Sequence, residues 1–208
     1  MNLEDIKKSL LTNDDFVLLE TKKLQILYQL KQEIRYAKTR EVRDTESVAE
    51  HVFGMLNLIE YFLPLENPLS TWDKSRVQSM TLIHDIDEIE TGDTIGYLKT
   101  EQDRIEEYNA SEKVVGQLPY SLHTDFLKLI KEYNEQITPE STFVKAIDRI
   151  EPLFHLYNQT GKAILHDLQT TFEQNASIKE DYVKPFPFIK RFYQVISYTM
   201  LKEGFFVD

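Results

Sequence analysis

The sequence predicts an all-α fold in a single domain. Apolar residues recur at spacings of three and four residues over most of the chain, which is the pattern of helices with one buried face. Strict alternation of apolar and polar residues between hairpin turns, the pattern typical of strands, is not found. At 208 residues the chain is long enough to bury a substantial core, and we expect residues 1–208 to form one helical bundle.

The amino-terminal half contains four predicted helices, over residues 3–10, 16–37, 46–63 and 70–89. Asp14 and Asp15 are suitable caps for the second of them. The third has the clearest pattern, and Pro64, which lacks a backbone N–H, is expected to end it. The fourth begins at residue 70 or 71 and is expected to stop near Gly92.

The second half contains helices predicted over residues 101–118, 121–134 and 139–154, followed by one or two aromatic helices between residues 186 and 205. Residues 94–97 are expected to form a loop. The helix over residues 101–118 is polar, and we expect most of it to face solvent.

Composition and charge restrict the function. The net charge of -11 argues against broad electrostatic binding to nucleic acid or to an anionic membrane. Because the chain has no cysteine, a metal ion would have to be held by histidine and carboxylate side chains. No apolar run approaches the ~18 residues of a membrane span, and the amino terminus lacks the apolar core of a signal peptide. A cytoplasmic protein is therefore expected.

One basic segment interrupts this acidic composition. Its five cations are Lys31, Arg35, Lys38, Arg40 and Arg43, and they accompany only two acidic residues. A solvated helix end and a phosphate-binding segment explain this pattern equally well.

Two histidines lie in predicted helices beside acidic residues. His51 follows Glu50 at the edge of an apolar stripe, and His84 is followed directly by Asp85. A carboxylate on a buried helix face is costly without a partner, and a metal ion would supply one. A surface dipeptide next to a histidine packed in the core accounts for the same residues.

Acidic residues crowd the predicted end of the fourth helix, at Asp85, Asp87, Glu88, Glu90 and Asp93. Negative charge is unfavourable at the carboxyl end of a helix, where the helix dipole is also negative. A divalent cation would offset this repulsion, and a solvated acidic turn is the alternative. His84 and Glu88 are four residues apart and are predicted to share one helix face.

Asp148 is the fourth candidate ligand. It borders the apolar stripe of the helix predicted over residues 139–154, directly after Ile147. An ordinary ion pair with Arg149 or with a nearby lysine is the alternative to a metal-binding role.

The order and surroundings of these residues resemble a known family. The segments E-S-V-A-E-H at residues 46–51, L-I-H-D at residues 82–85 and E-I-E-T-G-D at residues 88–93, followed by Asp148, resemble the HD-domain phosphohydrolases. Within that superfamily the segments look most like the 5'-deoxynucleotidase branch. The resemblance covers about residues 32–157 and depends on the four pieces occurring in this order.

The resemblance implies four ligands for one divalent metal ion, namely His51, His84, Asp85 and Asp148. It also implies Glu88 as the catalytic carboxylate and Asp93 as a group that orients substrate or water. Arg35 matches the phosphate-binding arginine of the family. Beside that arginine the family usually has an aromatic residue, often Trp, whereas this chain has Tyr36, which is the second residue expected to bind substrate.

The enzyme implied by the resemblance is a metal-dependent 5'-nucleotidase that releases phosphate from nucleoside or deoxynucleoside 5'-monophosphates. A mixed set of nitrogen and oxygen ligands favours Mn, Co, Fe, Ni or Zn over Mg. Two alternatives stay open. One is an HD hydrolase of another phosphate ester, such as a cyclic nucleotide or guanosine polyphosphate, and the other is a non-catalytic helical binding or regulatory protein with a structural metal site. The apolar carboxyl-terminal helix is also compatible with a homodimer.

Overall fold

The computed structural model describes residues 3–35 and 46–207. Its α-helices are α1 (Leu3–Thr12), α2 (Asp14–Gln25), α3 (Val48–Glu66), α4 (Lys74–Ile83), α5 (Glu88–Thr91), α6 (Glu101–Gln117), α7 (Tyr120–Glu135), α8 (Pro139–Leu156), α9 (Gln159–Asp167), α10 (Phe172–Ser177), α11 (Glu180–Val183) and α12 (Pro187–Lys202). Short 3-10 helices cover Ile26–Lys31 and Gly96–Leu98. Extended pairing in the described residues is limited to two isolated bridges, so the predicted all-α class is confirmed. None of the described helices has both the length and the apolar composition needed to cross a membrane.

Helix α8 forms the centre of the bundle. It packs against α3, α4, α7, α9, α11 and α12. Fully buried side chains of the surrounding core include Phe62, Met80, Phe143, Ile147 and Ile189. Because α8 is surrounded by so many neighbours, the position of Asp148 on this helix is well defined.

The second predicted helix is shorter than expected. It ends at Gln25, a 3-10 helix follows, and residues 33–35 are no longer helical. The Arg35 N–H donates to the Glu46 carbonyl at 2.9 Å, and the Val48 N–H donates to the Glu33 carbonyl at 2.9 Å. This antiparallel pairing replaces the helical hydrogen bonds and brings Arg35 to the beginning of α3. Residues 36–45, with three cations of the basic segment, lie outside the described residues.

Pro64 does not end the third predicted helix, which continues to Glu66. Proline removes a single helical hydrogen bond, and near the end of a helix few further bonds depend on it. The Asn67 side chain then accepts hydrogen bonds from the N–H of Thr71 at 3.1 Å and from its hydroxyl at 3.0 Å. These bonds close the turn that follows α3.

The fourth predicted helix begins later and ends earlier than expected. The Asp73 side chain caps α4, because it accepts a hydrogen bond from the Arg76 N–H at 3.1 Å. At its other end α4 stops at Ile83, where the hydrogen bonds change from the α-helical spacing of four residues to a spacing of three. The Ile86 N–H donates to the Ile83 carbonyl, three residues back, at 3.1 Å.

This early end changes the surroundings of the acidic cluster. Glu88 and Glu90 lie in the first turn of α5, where negative charge is favourable, and not at the carboxyl end of a long helix. The predicted shared helix face of His84 and Glu88 is therefore wrong, because no continuous helix joins them. The turn between α4 and α5 instead carries His84 and Asp85.

The remaining predicted helices lie close to their expected positions. Helices α6 and α7 match the predictions within a residue or two, and α8 continues to Leu156 despite Pro152 in its interior. Between residues 186 and 205 there is one helix, α12, and the shorter α9, α10 and α11 precede it. The loop expected at residues 94–97 is present except where the 3-10 helix begins at Gly96.

Candidate metal centre

Two buried histidines come from the beginning of α3 and the end of α4. His51 lies in the first turn of α3 and is fully buried, and His84 directly follows α4. Ser47 caps α3 by accepting a hydrogen bond from the Glu50 N–H at 3.3 Å, and the Glu50 carboxylate accepts one from the Ser47 N–H at 2.7 Å. This capping box defines where the helix starts and hence where His51 lies. The ring centroids of the two histidines are 5.6 Å apart.

Each imidazole has its Nδ1 atom engaged and its Nε2 atom available. Nδ1 of His51 lies 2.6 Å from Oε2 of Glu151, and Nδ1 of His84 lies 2.9 Å from the Thr81 carbonyl oxygen. A neutral imidazole that donates through Nδ1 keeps the Nε2 lone pair free for a ligand. Both Nε2 atoms are buried and, among the residues that the structure describes, neither is aligned with an acceptor for a hydrogen bond, although carboxylate oxygens lie nearby.

Two carboxylates approach these nitrogens. Oδ2 of Asp85 lies 3.0 Å from Nε2 of His84, while Oδ1 of Asp148 lies 3.4 Å from Nε2 of His51 and 4.0 Å from Nε2 of His84. Ligand atoms of His51, His84 and Asp85 all lie within 4.8 Å of one another. The structure thus brings together the four residues that the sequence indicated as candidate ligands.

This arrangement fits a divalent metal ion. Two buried imidazole nitrogens that accept no hydrogen bond from the described residues form, with two nearby carboxylate oxygens, a mixed nitrogen and oxygen donor set. The contacts at Nδ1 are of the kind that orient metal-binding histidines. A buried polar atom without a partner is costly, and a cation between these groups would remove that cost.

Asp148 is held by a tyrosine and a lysine. The Tyr133 hydroxyl donates to Oδ2 of Asp148 at 2.9 Å, and Lys145 donates to the same oxygen at 3.0 Å. These bonds engage Oδ2 and leave Oδ1 close to the histidines. Burial opposes the charge of Asp148, but Lys145 and Arg149 outweigh it and hold the pKa of this carboxyl well below its usual value.

Glu88 lines the same cleft as the candidate ligands Asp85 and Asp148. The residue is 4% exposed, and its Oε2 atom has no hydrogen-bond partner in the described part of the chain. Burial and the charges of Asp85 and Asp93 raise the pKa of Glu88 well above its usual value, against the effect of Arg35. A buried carboxylate with a raised pKa accepts a proton more readily than an exposed one.

Arg35 reaches the centre from the antiparallel bridge. Its side chain is nearly buried, with Nε 3.0 Å from Oε1 of Glu46 and Nη1 3.8 Å from Oδ2 of Asp85. Asp93 is half-buried and lines the same cleft as Arg35. Tyr36, which was expected to bind substrate, lies outside the described residues.

Two carboxylates that sequence reasoning missed lie on the other side of His51. Glu151 contacts Nδ1 of His51, and Oε1 of Glu46 lies 3.9 Å from the same atom. Ligand atoms of these three residues also lie within 4.8 Å of one another. Glu151 follows Asp148 by about one helical turn on α8, and this spacing is the signal that could have found it. Gly54 makes room for Glu151, since a Cβ at Gly54 would lie 2.6 Å from Oε1 of Glu151.

A cleft opens onto this centre. Apolar side chains form part of its wall, from Leu153, Leu156, Leu165, Leu168 and Met200. Thr170 and Asn175 add polar groups, and Nδ2 of Asn175 is buried with no hydrogen-bond partner among the described residues. The cleft therefore combines the polar centre with a surface suited to an organic group.

Comparisons with known proteins identify related sequences. The HD-domain family model matches residues 27–189. The 5'-deoxynucleotidase HDDC2 of Xenopus laevis is 32% identical over 114 residues, which are 54% of this chain and 54% of that protein. The 5'-deoxynucleotidase HDDC2 of Homo sapiens is 30% identical over 115 residues, which are 54% of this chain and 53% of that protein. The chain thus spans about half the length of these curated relatives.

Solved structures share the fold. A predicted metal-dependent phosphohydrolase from Magnetospirillum magnetotacticum MS-1 superimposes with a TM-score of 0.77 at 20% identity, covering 92% of this chain and 98% of that chain. The PH0347 protein of Pyrococcus horikoshii OT3 superimposes with a TM-score of 0.56 at 20% identity, covering 82% of this chain and 98% of that chain. Identities this low show the fold alone, whereas the family match extends over most of the sequence. The expected family is therefore confirmed, and this chain belongs to the HD-domain family.

Proposed function

We propose that this protein is a metal-dependent phosphohydrolase that releases phosphate from nucleoside or deoxynucleoside 5'-monophosphates. The observation that carries the proposal is the pair of buried Nε2 atoms that form no hydrogen bond with the described residues, next to a cleft lined by Glu88 and Arg35. The names of the relatives, 5'-deoxynucleotidases, support this choice of substrate.

In the proposed enzyme, four side chains hold one divalent ion: His51, His84, Asp85 and Asp148. When bound, such an ion acidifies water and withdraws charge from a phosphoryl oxygen. The donor set suits Mn, Co, Fe, Ni or Zn. The protein keeps the two imidazoles in one orientation through the contacts at their Nδ1 atoms.

Glu88 accepts the proton of the attacking water in this mechanism. Its raised pKa makes it a stronger base than an exposed glutamate, and the charge of Asp93 contributes to that pKa. Asp93 also orients water or substrate. The guanidinium of Arg35 binds the phosphate and neutralises charge that develops during transfer. The organic part of the substrate lies against the apolar wall of the cleft.

A phosphate-release assay tests the proposal. Purified protein is loaded separately with each of the five metals and offered 5'-monophosphates, 3'-monophosphates, cyclic nucleotides and guanosine polyphosphates. We expect release from 5'-monophosphates with at least one metal, and loss of that activity after chelation. Preferential hydrolysis of a cyclic nucleotide or a guanosine polyphosphate would assign another substrate. Metal-loaded protein that hydrolyses none of these esters would contradict an enzymatic role.

Glu151→Gln is expected to weaken metal binding by about 10- to 100-fold. Gln keeps the shape of the side chain but removes the negative charge that lies 2.6 Å from Nδ1 of His51. Chelator competition, followed by metal analysis, measures the affinity. Glu173→Gln, at an exposed position on α10, is the matched control. Unchanged affinity in Glu151→Gln would show that this carboxylate does not orient His51.

A further inference from the structure

Two cations that line the cleft form no ion pair with a carboxylate of the described residues. Three other cations that line it form ion pairs: Arg35 with Glu46, Lys99 with Glu107, and Lys145 with Asp148. Arg149 and Lys179 line the same cleft. Within residues 3–35 and 46–207, no side-chain nitrogen of Arg149 or Lys179 lies within 4.0 Å of a carboxylate oxygen.

Arg149 is held in place by packing. It directly follows Asp148 on α8, and its guanidinium lies 5.3 Å from the centre of the Tyr182 ring. Gly96 approaches it closely, since a Cβ at Gly96 would lie 3.3 Å from Nη1 of Arg149. Its Nε atom is buried and has no hydrogen-bond partner in the described part of the chain. The guanidinium is therefore positioned while it retains donors for a ligand.

Lys179 lies directly before α11 and is 5% exposed. Its ammonium forms no hydrogen bond or ion pair with the described residues. Burial and the neighbouring charge of Arg149 lower the pKa of Lys179 to about 7. An anion beside both side chains would counteract these effects, because its negative charge favours the protonated form of Lys179 and offsets the repulsion from Arg149.

In so acidic a protein it is unexpected that Arg149 and Lys179 form no ion pair with a carboxylate of the described residues. The chain has 35 Asp and Glu residues against 24 Lys and Arg residues, so carboxylates for pairing are abundant. Burial of a cation without a partner destabilises a fold. Residues placed against stability in this way indicate a ligand site.

We propose that Arg149 and Lys179 form a second anion-binding wall of the cleft, which holds the phosphate group of the substrate. The identity of that anion as a substrate phosphate rests on the proposed function, whereas anion binding by the two side chains does not. A monoester phosphate carries roughly two negative charges at neutral pH, more than a phosphodiester. Two cations in addition to Arg35 therefore favour monoesters over cyclic diesters.

Calorimetric titration with inorganic phosphate tests this wall. Mn²⁺-loaded Lys179→Met protein is expected to bind phosphate about 10- to 100-fold more weakly than the unaltered protein, because it loses a charge-assisted hydrogen bond. Lys179→Arg keeps the charge and should retain most of the affinity. Lys184→Met removes an exposed lysine near α11 and is the matched control, with unchanged affinity expected.

Thermal unfolding separates binding from a structural role. Without phosphate, the Tm of Lys179→Met should equal or exceed that of the unaltered protein, because a buried cation without a partner is removed. Added phosphate should raise the Tm of this variant less than that of the unaltered protein. Unchanged phosphate affinity in Lys179→Met would overturn the proposal.

If Lys179→Met does not fold, Arg149→Met takes its place in the phosphate titration. Unchanged phosphate affinity in Arg149→Met would then overturn the proposal. The outcome also distinguishes this proposal from the proposed function. Phosphate binding that depends on Lys179, in a protein that hydrolyses none of the esters offered, would support the anion-binding wall and contradict the enzymatic role.

Discussion

Glu88→Gln is expected to lower kcat by about 10²- to 10⁴-fold while the metal content stays unchanged. Gln has nearly the same shape as Glu, but it cannot take a proton from water. Glu88 is buried, and its Oε2 atom has no hydrogen-bond partner among the described residues, so the replacement breaks no bond between that oxygen and this part of the chain. Steady-state rates and metal analysis of the same samples measure the two effects.

Glu90→Gln is the matched control for this change. Glu90 lies on the same short helix, is exposed and pairs with Lys113, and an exposed ion pair contributes little to stability. We expect its kcat and metal content to equal those of the unaltered protein. Normal turnover in Glu88→Gln would exclude Glu88 from proton transfer and make Asp93 the next candidate.

The parts of the fold that could be predicted are those with local signals. Helices α6 and α8 lie close to their expected bounds, and their caps, Thr100 and Thr138, bond to groups within the first turn. The predicted helix bounds were wrong where contacts between residues distant in sequence determine the backbone conformation. Residues 33–35 leave the helical conformation because they pair with residues 46–48, and no pattern within either segment reports that pairing.

The residues of the candidate site likewise fall into those that a sequence pattern indicated and those that only the folded chain reveals. The four candidate ligands were found because their order along the chain matches a family pattern. Glu151 was missed because its contact is with His51, 100 residues earlier in the sequence. Arg149 and Lys179 were missed because the burial of Lys179 and of the Arg149 Nε atom, and the distance of both side chains from the carboxylates of the described residues, are properties of the folded chain.

His84→Ala is expected to abolish both metal binding and turnover, unlike Glu88→Gln. The change removes an Nε2 atom that lies 3.0 Å from Oδ2 of Asp85. Loss of a direct ligand should weaken binding by more than the roughly 10- to 100-fold effect of losing an outer contact. A metal that binds the folded state stabilises it by about 2.7 kcal/mol at a concentration of 100 Kd. The rise in Tm on addition of metal should therefore disappear in this variant.

His84 is the residue that distinguishes between two overlapping groups of possible ligands. His51 belongs to the group with His84 and Asp85 and also to the group with Glu46 and Glu151, so its replacement would disrupt both. His84→Ala disrupts only the first group, and its effect on metal content identifies where the ion binds. His123→Ala is the control, since this histidine on α7 contacts the Leu118 carbonyl and lies outside both groups. Unchanged metal content in His84→Ala would assign the ion to the group of His51, Glu46 and Glu151 and would contradict the proposed ligand set.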